Sequence, residues 1–149
     1  MSSAASYVHG ASAQPLLGDT VGSLIDRIAV AYPDRPALVV RAQGVRLSYR
    51  QFHAEVERIA AGLLALDLEP GERIGIWAPN RAEWVLLQFA APKAGLVLVN
   101  INPAYRTHEL EYSLNKVACR ALVLPRRFKT SHCLDILTEL APELAASAP

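Results

Sequence analysis

From Arg73 onward the chain alternates short apolar runs with longer amphipathic stretches. RIGIWA (73–78), LVLVN (96–100) and RALVL (120–124) are separated by segments of helical period. Such runs fit strands buried on both faces, and parallel neighbours need a crossover of about a dozen residues, normally a helix. Helices are expected from Asn80 or Arg81 to about Ala94 and from Thr107 to about Val117. The right-handed crossover rule then sets the strands in a doubly wound order. The expected fold class is α/β, a doubly wound, mostly parallel sheet with helices on both faces.

The residues before Arg73 add a short antiparallel pair. Thr20 is placed to cap a helix running to about Tyr32, with Val21, Leu24, Ile25 and Ile28 on one face and Pro33 beyond its end. Ala37–Val40 and Val45–Ser48 flank Ala42, Gln43 and Gly44, the spacing of an N-terminal β-hairpin with glycine in its turn. Ser48 followed by Gln51 forms a capping box for a long helix whose buried stripe is Phe52, Val56, Ile59, Leu63 and Leu66.

Three further expectations concern punctuation. Pro92 falls inside a helical stretch, which predicts a kink or an end near Ala91. Thr130 is placed to cap a last helix that Pro142 stops after Leu140. The domain is expected over 14–143, between a flexible leader at 1–13 and a disordered tail at 144–149.

Composition excludes several functions. Lys and Arg number 15 against 14 Asp and Glu, so no strong field exists to attract nucleic acid. Cys119 and Cys133 are too few and too irregularly placed for a disulfide framework or a four-ligand metal site, and free thiols point to a reducing compartment. The first 15 residues carry neither a signal-peptide pattern nor an Arg-rich import pattern, and no apolar run approaches the ~20 residues needed to cross a bilayer. The expected location is cytoplasmic, without a transmembrane segment. Apolar residues make up 52% of the chain, more than a small domain can hide, so association through exposed apolar surface is expected.

In an open parallel sheet, ligands bind outside the carboxyl ends of the strands, which here brings in Pro79, Asn80, Asn100, Asn102, Tyr105 and Arg106. Each has a plainer reading. Asn80 is placed to cap a helix, Asn102-Pro103 to turn, Thr107 to cap, and Arg106 to face solvent. Gly71 and Gly75 lack the strand-to-helix context of a phosphate loop. His132 and Cys133 adjoin on an expected helix and point about 100° apart, too far to share a metal ion. His9, His53 and His108 show no partner at a ligand spacing, and Arg126, Arg127 and Lys129 around Phe128 read as a solvated turn. Trp77 and Trp84 read as core, and Glu83 as a helix-dipole partner. No catalytic, cofactor-binding or metal residue is assigned.

LSYRQF at Leu47 to Phe52, GERIGIWAPNRAEWVLLQFA, KAGLVLVNINPAYRTHELEY and ALVLP, in this order, resemble the adenylate-forming superfamily. NINPAYR followed by ELEY is most similar to its medium-chain fatty-acyl-CoA synthetases. The resemblance runs from about Gln14 to Glu143 and implies roughly the first quarter of such an enzyme. It implies a ligase that makes an acyl-adenylate from a fatty acid and ATP with magnesium, then transfers the acyl group to CoA. The motifs that contact nucleotide and acyl group in that family are absent here, so the chain alone is expected to be inactive and to hold no cofactor. The alternative is a standalone Rossmann-like module that binds a ligand or docks on an intact synthetase.

Overall fold

The computed structural model describes residues 10, 14 and 16–146. Helix α1 (Val21–Ala31) is followed by strand β1 (Pro36–Val40), a 3-10 turn and strand β2 (Val45–Ser48). Helix α2 (Tyr49–Leu64), strand β3 (Arg73–Trp77), helix α3 (Ala82–Lys93), strand β4 (Val97–Ile101), helix α4 (Thr107–Lys116) and strand β5 (Cys119–Val123) come next. Two-residue strands β6 (Arg127–Phe128) and β7 (Ser131–His132) precede helix α5 (Cys133–Leu140). Of the expected leader at 1–13 only residue 10 is described, and of the expected tail 144–146 belong to a 3-10 turn while 147–149 lie outside the described residues.

The expected architecture is present. The parallel sheet has the order β4-β3-β5, and β1 pairs with β2 antiparallel. Because β3 carries side chains alternately to two faces, Ile74 and Ile76 enter one core with α1, α2 and α3. Trp77 joins Ile101, Leu110 and Cys133 in a second core on the opposite face, under α4 and α5. The chain therefore winds away from β3 over one face, through α3 to β4, and returns over the other, through α4 to β5.

Local chemistry explains the elements before β3. Thr20 Oγ1 accepts the Ser23 N–H at 3.1 Å to start α1. Gly44 adopts φ +66°, a left-handed turn that costs glycine little and lets β2 fold back on β1. The Ser48–Gln51 capping box is closed in both directions, at 3.3 and 2.9 Å. Phe52, Val56 and Leu63 are buried as the period requires, with Ala60 completing the stripe. Leu66 corrects that stripe: α2 ends at Leu64, and Leu66 is exposed.

Two helix boundaries differ from expectation. Helix α3 passes Pro92 and ends at Lys93, because the Leu96 N–H reaches Ala91 O at 2.9 Å and the Gly95 N–H reaches Pro92 O at 3.1 Å. That pair of bonds is a Schellman motif, which needs Gly95 at φ +77°. Pro92 thus sits in the last turn and forfeits one hydrogen bond. Thr130 does not begin the last helix. It lies in the turn of the β6–β7 hairpin, and α5 starts at Cys133 with His132 as its uncapped boundary. Among the described residues no helix is long and apolar enough to cross a membrane.

Candidate functional site

The direction of winding reverses between β3 and β5, and the crevice at their carboxyl ends is where an open α/β sheet accepts ligands. A cleft of about 340 Å³ lies there. Ile76, Ala78 and Trp84 form one wall, Val123, Leu124 and Pro125 the other, and Arg81, Glu83, Arg126 and Arg127 stand at the rim. The apolar walls come from the strand ends, the residues just after them and Trp84 of α3, and the charges from Arg81 before α3, Glu83 in its first turn, Arg126 just before β6 and Arg127 at its start.

The β3–α3 side of the cleft is held by a long-range cap. Gln43, in the turn of the β1–β2 hairpin, accepts the Ala82 N–H at 2.8 Å through Oε1 and donates to Glu83 Oε2 at 2.9 Å through Nε2. Asn80 is not the cap; it is exposed, and Arg81 precedes the helix without a side-chain bond to it. Arg81 instead donates to both Glu83 oxygens, at 3.0 and 3.2 Å. These Arg81 bonds, with a smaller one from Gln43, outweigh burial and hold the Glu83 carboxyl down at about 2. The first N–H of α3 is therefore already taken by a protein group.

The β4–α4 loop is built as a turn. Asn102 Oδ1 accepts the Ala104 N–H at 2.9 Å, and Asn102 O accepts the Tyr105 N–H at 3.0 Å. The buried Trp77 indole donates to the same carbonyl at 3.0 Å and ties the loop to the end of β3. Asn100, Asn102 and Tyr105 line a separate depression of about 310 Å³ beside β4, with Tyr112 and Lys116. Of the expected loop residues, Asn100, Asn102 and Tyr105 thus gather at this depression, while Pro79, Asn80 and Arg106 line neither it nor the cleft. Arg106 is exposed and reaches Thr130 Oγ1 at 3.4 Å. Thr107 is the first residue of α4, not its cap: Glu109 accepts the Arg106 N–H at 3.1 Å, and the Thr107 hydroxyl donates to Glu139 at 3.2 Å.

The thiols are poorly placed for nucleophilic chemistry. Burial pushes both Cys119 and Cys133 upward, away from the thiolate. His132 is exposed, within 3.9 Å of Asp135. Trp84, expected in the core, is half-buried and shared between the core and the cleft wall.

A second polar cluster joins three helices away from the sheet ends. His53 Nε2 lies 2.7 Å from Asp26 Oδ1 and 3.4 Å from Glu57 Oε1, and the Lys93 ammonium bonds both carboxylates. His53, read from the sequence as partnerless, has two acidic neighbours. One of them, Glu57, stands four residues along the same helix, a spacing visible in the sequence. Chiefly the Lys93 bond holds Asp26 below its ordinary range, against the opposing effect of burial.

Comparison with known proteins places this arrangement. Residues 25–148 match the family of AMP-binding enzymes. A protein described as "Medium-chain acyl-CoA ligase ACSF2, mitochondrial" from Danio rerio is 47% identical over 144 residues, 97% of this chain and 24% of that protein. "Putative acyl-CoA synthetase YngI" from Bacillus subtilis is 37% identical over 134 residues, covering 90% of this chain and 24% of that one. The chain spans about a quarter of the length of these curated relatives. The structure of a putative long-chain-fatty-acid CoA ligase from Rhodopseudomonas palustris superposes with a TM-score of 0.72 at 30% identity, over 84% of this chain and 30% of that one. The N-terminal domain of FACL13 from Mycobacterium tuberculosis shares the fold at a TM-score of 0.73 and 24% identity, over 88% of this chain and 31% of that one.

Proposed function

Since this chain belongs to the family of AMP-binding enzymes, we propose that it is the amino-terminal part of an ATP-dependent fatty-acid–CoA ligase of the medium-chain type. The whole protein would adenylate a fatty acid and then pass the acyl group to the thiol of CoA, with ATP, magnesium and CoA as its requirements. Within it, residues 14–143 form the first portion of the AMP-binding domain. The support is the 47% identity over nearly all of this chain to a protein bearing the medium-chain ligase description.

The residues present do not fit the ATP phosphates. No glycine-rich strand-to-helix loop follows β3, β4 or β5. The α3 N-terminus at the crevice has its Ala82 N–H taken by Gln43. Glu83, the carboxylate at that crevice, is engaged by Arg81 and Gln43, which leaves it poorly disposed to hold magnesium. On this reading the chain alone is without adenylating activity, and no step is assigned to its residues. ATP–pyrophosphate exchange on the purified chain with C6 to C12 fatty acids should show no turnover above a buffer control; measurable exchange refutes the reading.

A second reading, an interaction module that docks on an intact synthetase, draws on exposed apolar side chains such as Val30, Leu17 and Tyr112. A monodisperse monomer that does not bind an intact ligase disposes of it. The cytoplasm is the compartment proposed, on the two free thiols Cys119 and Cys133; the mitochondrial description belongs to the vertebrate relatives.

A further inference from the structure

We propose that Asp26, His53 and Glu57 form an exchangeable site for a divalent transition-metal ion of the zinc class, in which the metal displaces the Lys93 ammonium from the two carboxylates. The first observation is the ligand set. One imidazole and two carboxylates offer atoms that all lie within 4.8 Å of one another. Three protein ligands with a fourth position left to water is the pattern of an open zinc site, and imidazole with carboxylate suits such ions. Tetrahedral ligands at about 2.0 Å from zinc stand ~3.3 Å apart. The His53–Glu57 separation of 3.4 Å already meets that spacing, and the His53–Asp26 pair at 2.7 Å has only to open slightly.

The second observation is charge: the protein itself places a cation between two of these three ligands. The Lys93 Nζ bridges Asp26 and Glu57, so the ammonium marks where the field of the cluster gathers positive charge. One ammonium does not balance it. Two carboxylates against one lysine leave a net negative charge when His53 is neutral, and a divalent ion in place of the ammonium removes that excess. Access is open, because the three ligands line a groove between α1 and α2, and their side chains are 48%, 31% and 49% exposed. The bound ion would join α1 to α2.

Nothing in the ligase reading requires this site, so its test is independent of ligase activity. Isothermal titration of the purified chain with zinc chloride in metal-free buffer should give one equivalent of binding. His53→Ala should weaken it at least ~10-fold by removing a ligand. Lys93→Met should tighten it, because the competing ammonium is gone. Magnesium, which prefers all-oxygen ligands in an octahedron, should bind at least ~10-fold more weakly than zinc. Absence of stoichiometric binding to the wild-type chain overturns the proposal. So does a titration of His53→Ala that matches wild type, which would assign the heat to the other histidines. Should Lys93→Met fail to fold by circular dichroism, the wild-type and His53→Ala pair still decides the matter.

Discussion

Gln43→Ala tests whether a residue in the hairpin turn holds the cleft from outside it. The Ala82 residue is 4% exposed, so removing the Gln43 amide strands a buried N–H that its bond at 2.8 Å now satisfies. A buried donor left without a partner costs about 1–3 kcal/mol. The second bond lost, from Gln43 Nε2 to Glu83, adds less: the Glu83 side chain is 55% exposed and keeps Arg81, which limits that contribution to about 0.5 kcal/mol. The expected loss is therefore about 2 kcal/mol, or a fall in Tm of roughly 4–8 °C for a domain of this size. Equilibrium urea unfolding reads it directly, with the slope unchanged because the same surface is exposed on unfolding. Pairing the substitution with Glu83→Gln should give nearly additive losses, since most of the effect lies in the Ala82 bond. A loss below ~0.5 kcal/mol with an unchanged slope refutes the reasoning, because the N–H then has water or another acceptor.

Acid should remove the support that Glu83 gives. Its carboxyl, held at about 2 in the folded chain against an ordinary 4.5, contributes stability present above pH 4.5 and lost as the pH falls toward 2. Solvent screening of a half-exposed pair limits this to about 1 kcal/mol, and Glu83→Gln should flatten that part of the stability–pH curve. Gly75→Ala should destabilise by about 1–3 kcal/mol in urea unfolding through overpacking. An added Cβ would stand 2.8 Å from Leu122 Cδ1, 3.1 Å from Cys119 Sγ and 3.1 Å from Ile101 Cδ1. A variant as stable as wild type would mean that these side chains move aside freely.

The elements that the sequence makes legible are those whose signals are local. RIGIWA, LVLVN and RALVL become three adjacent parallel strands because buried strands show themselves as unbroken apolar runs. Thr20 and the Ser48–Gln51 pair become caps because both partners lie within one turn. The boundaries that fail are those settled at a distance. Thr130 carries the chemistry of a cap, yet the pairing of Arg127 with His132 draws it into a hairpin turn and delays α5 to Cys133. Pro92 carries the chemistry of a helix stop, yet Gly95 offers a better one three residues on, and the Schellman bonds form there.

The candidate sites are less legible for the same reason. Asn80 looks like the cap of α3 from the sequence, but a residue 39 positions away from Ala82 reaches that N–H first, and no local pattern announces it. The Asp26–His53–Glu57–Lys93 cluster brings residues as much as 67 positions apart into one network. One trace of it was nonetheless available. Gly22 sits inside α1, where glycine costs about 1 kcal/mol relative to alanine and no turn requires it. An added Cβ there would stand 2.8 Å from Lys93 Cγ. The lysine stem passes over the bare glycine to reach Asp26 and Glu57, whereas Gly62 inside α2 has no element against it, so only the fold tells the two helical glycines apart. The sequence carries the space for the contact, and only the fold reveals which charge fills it.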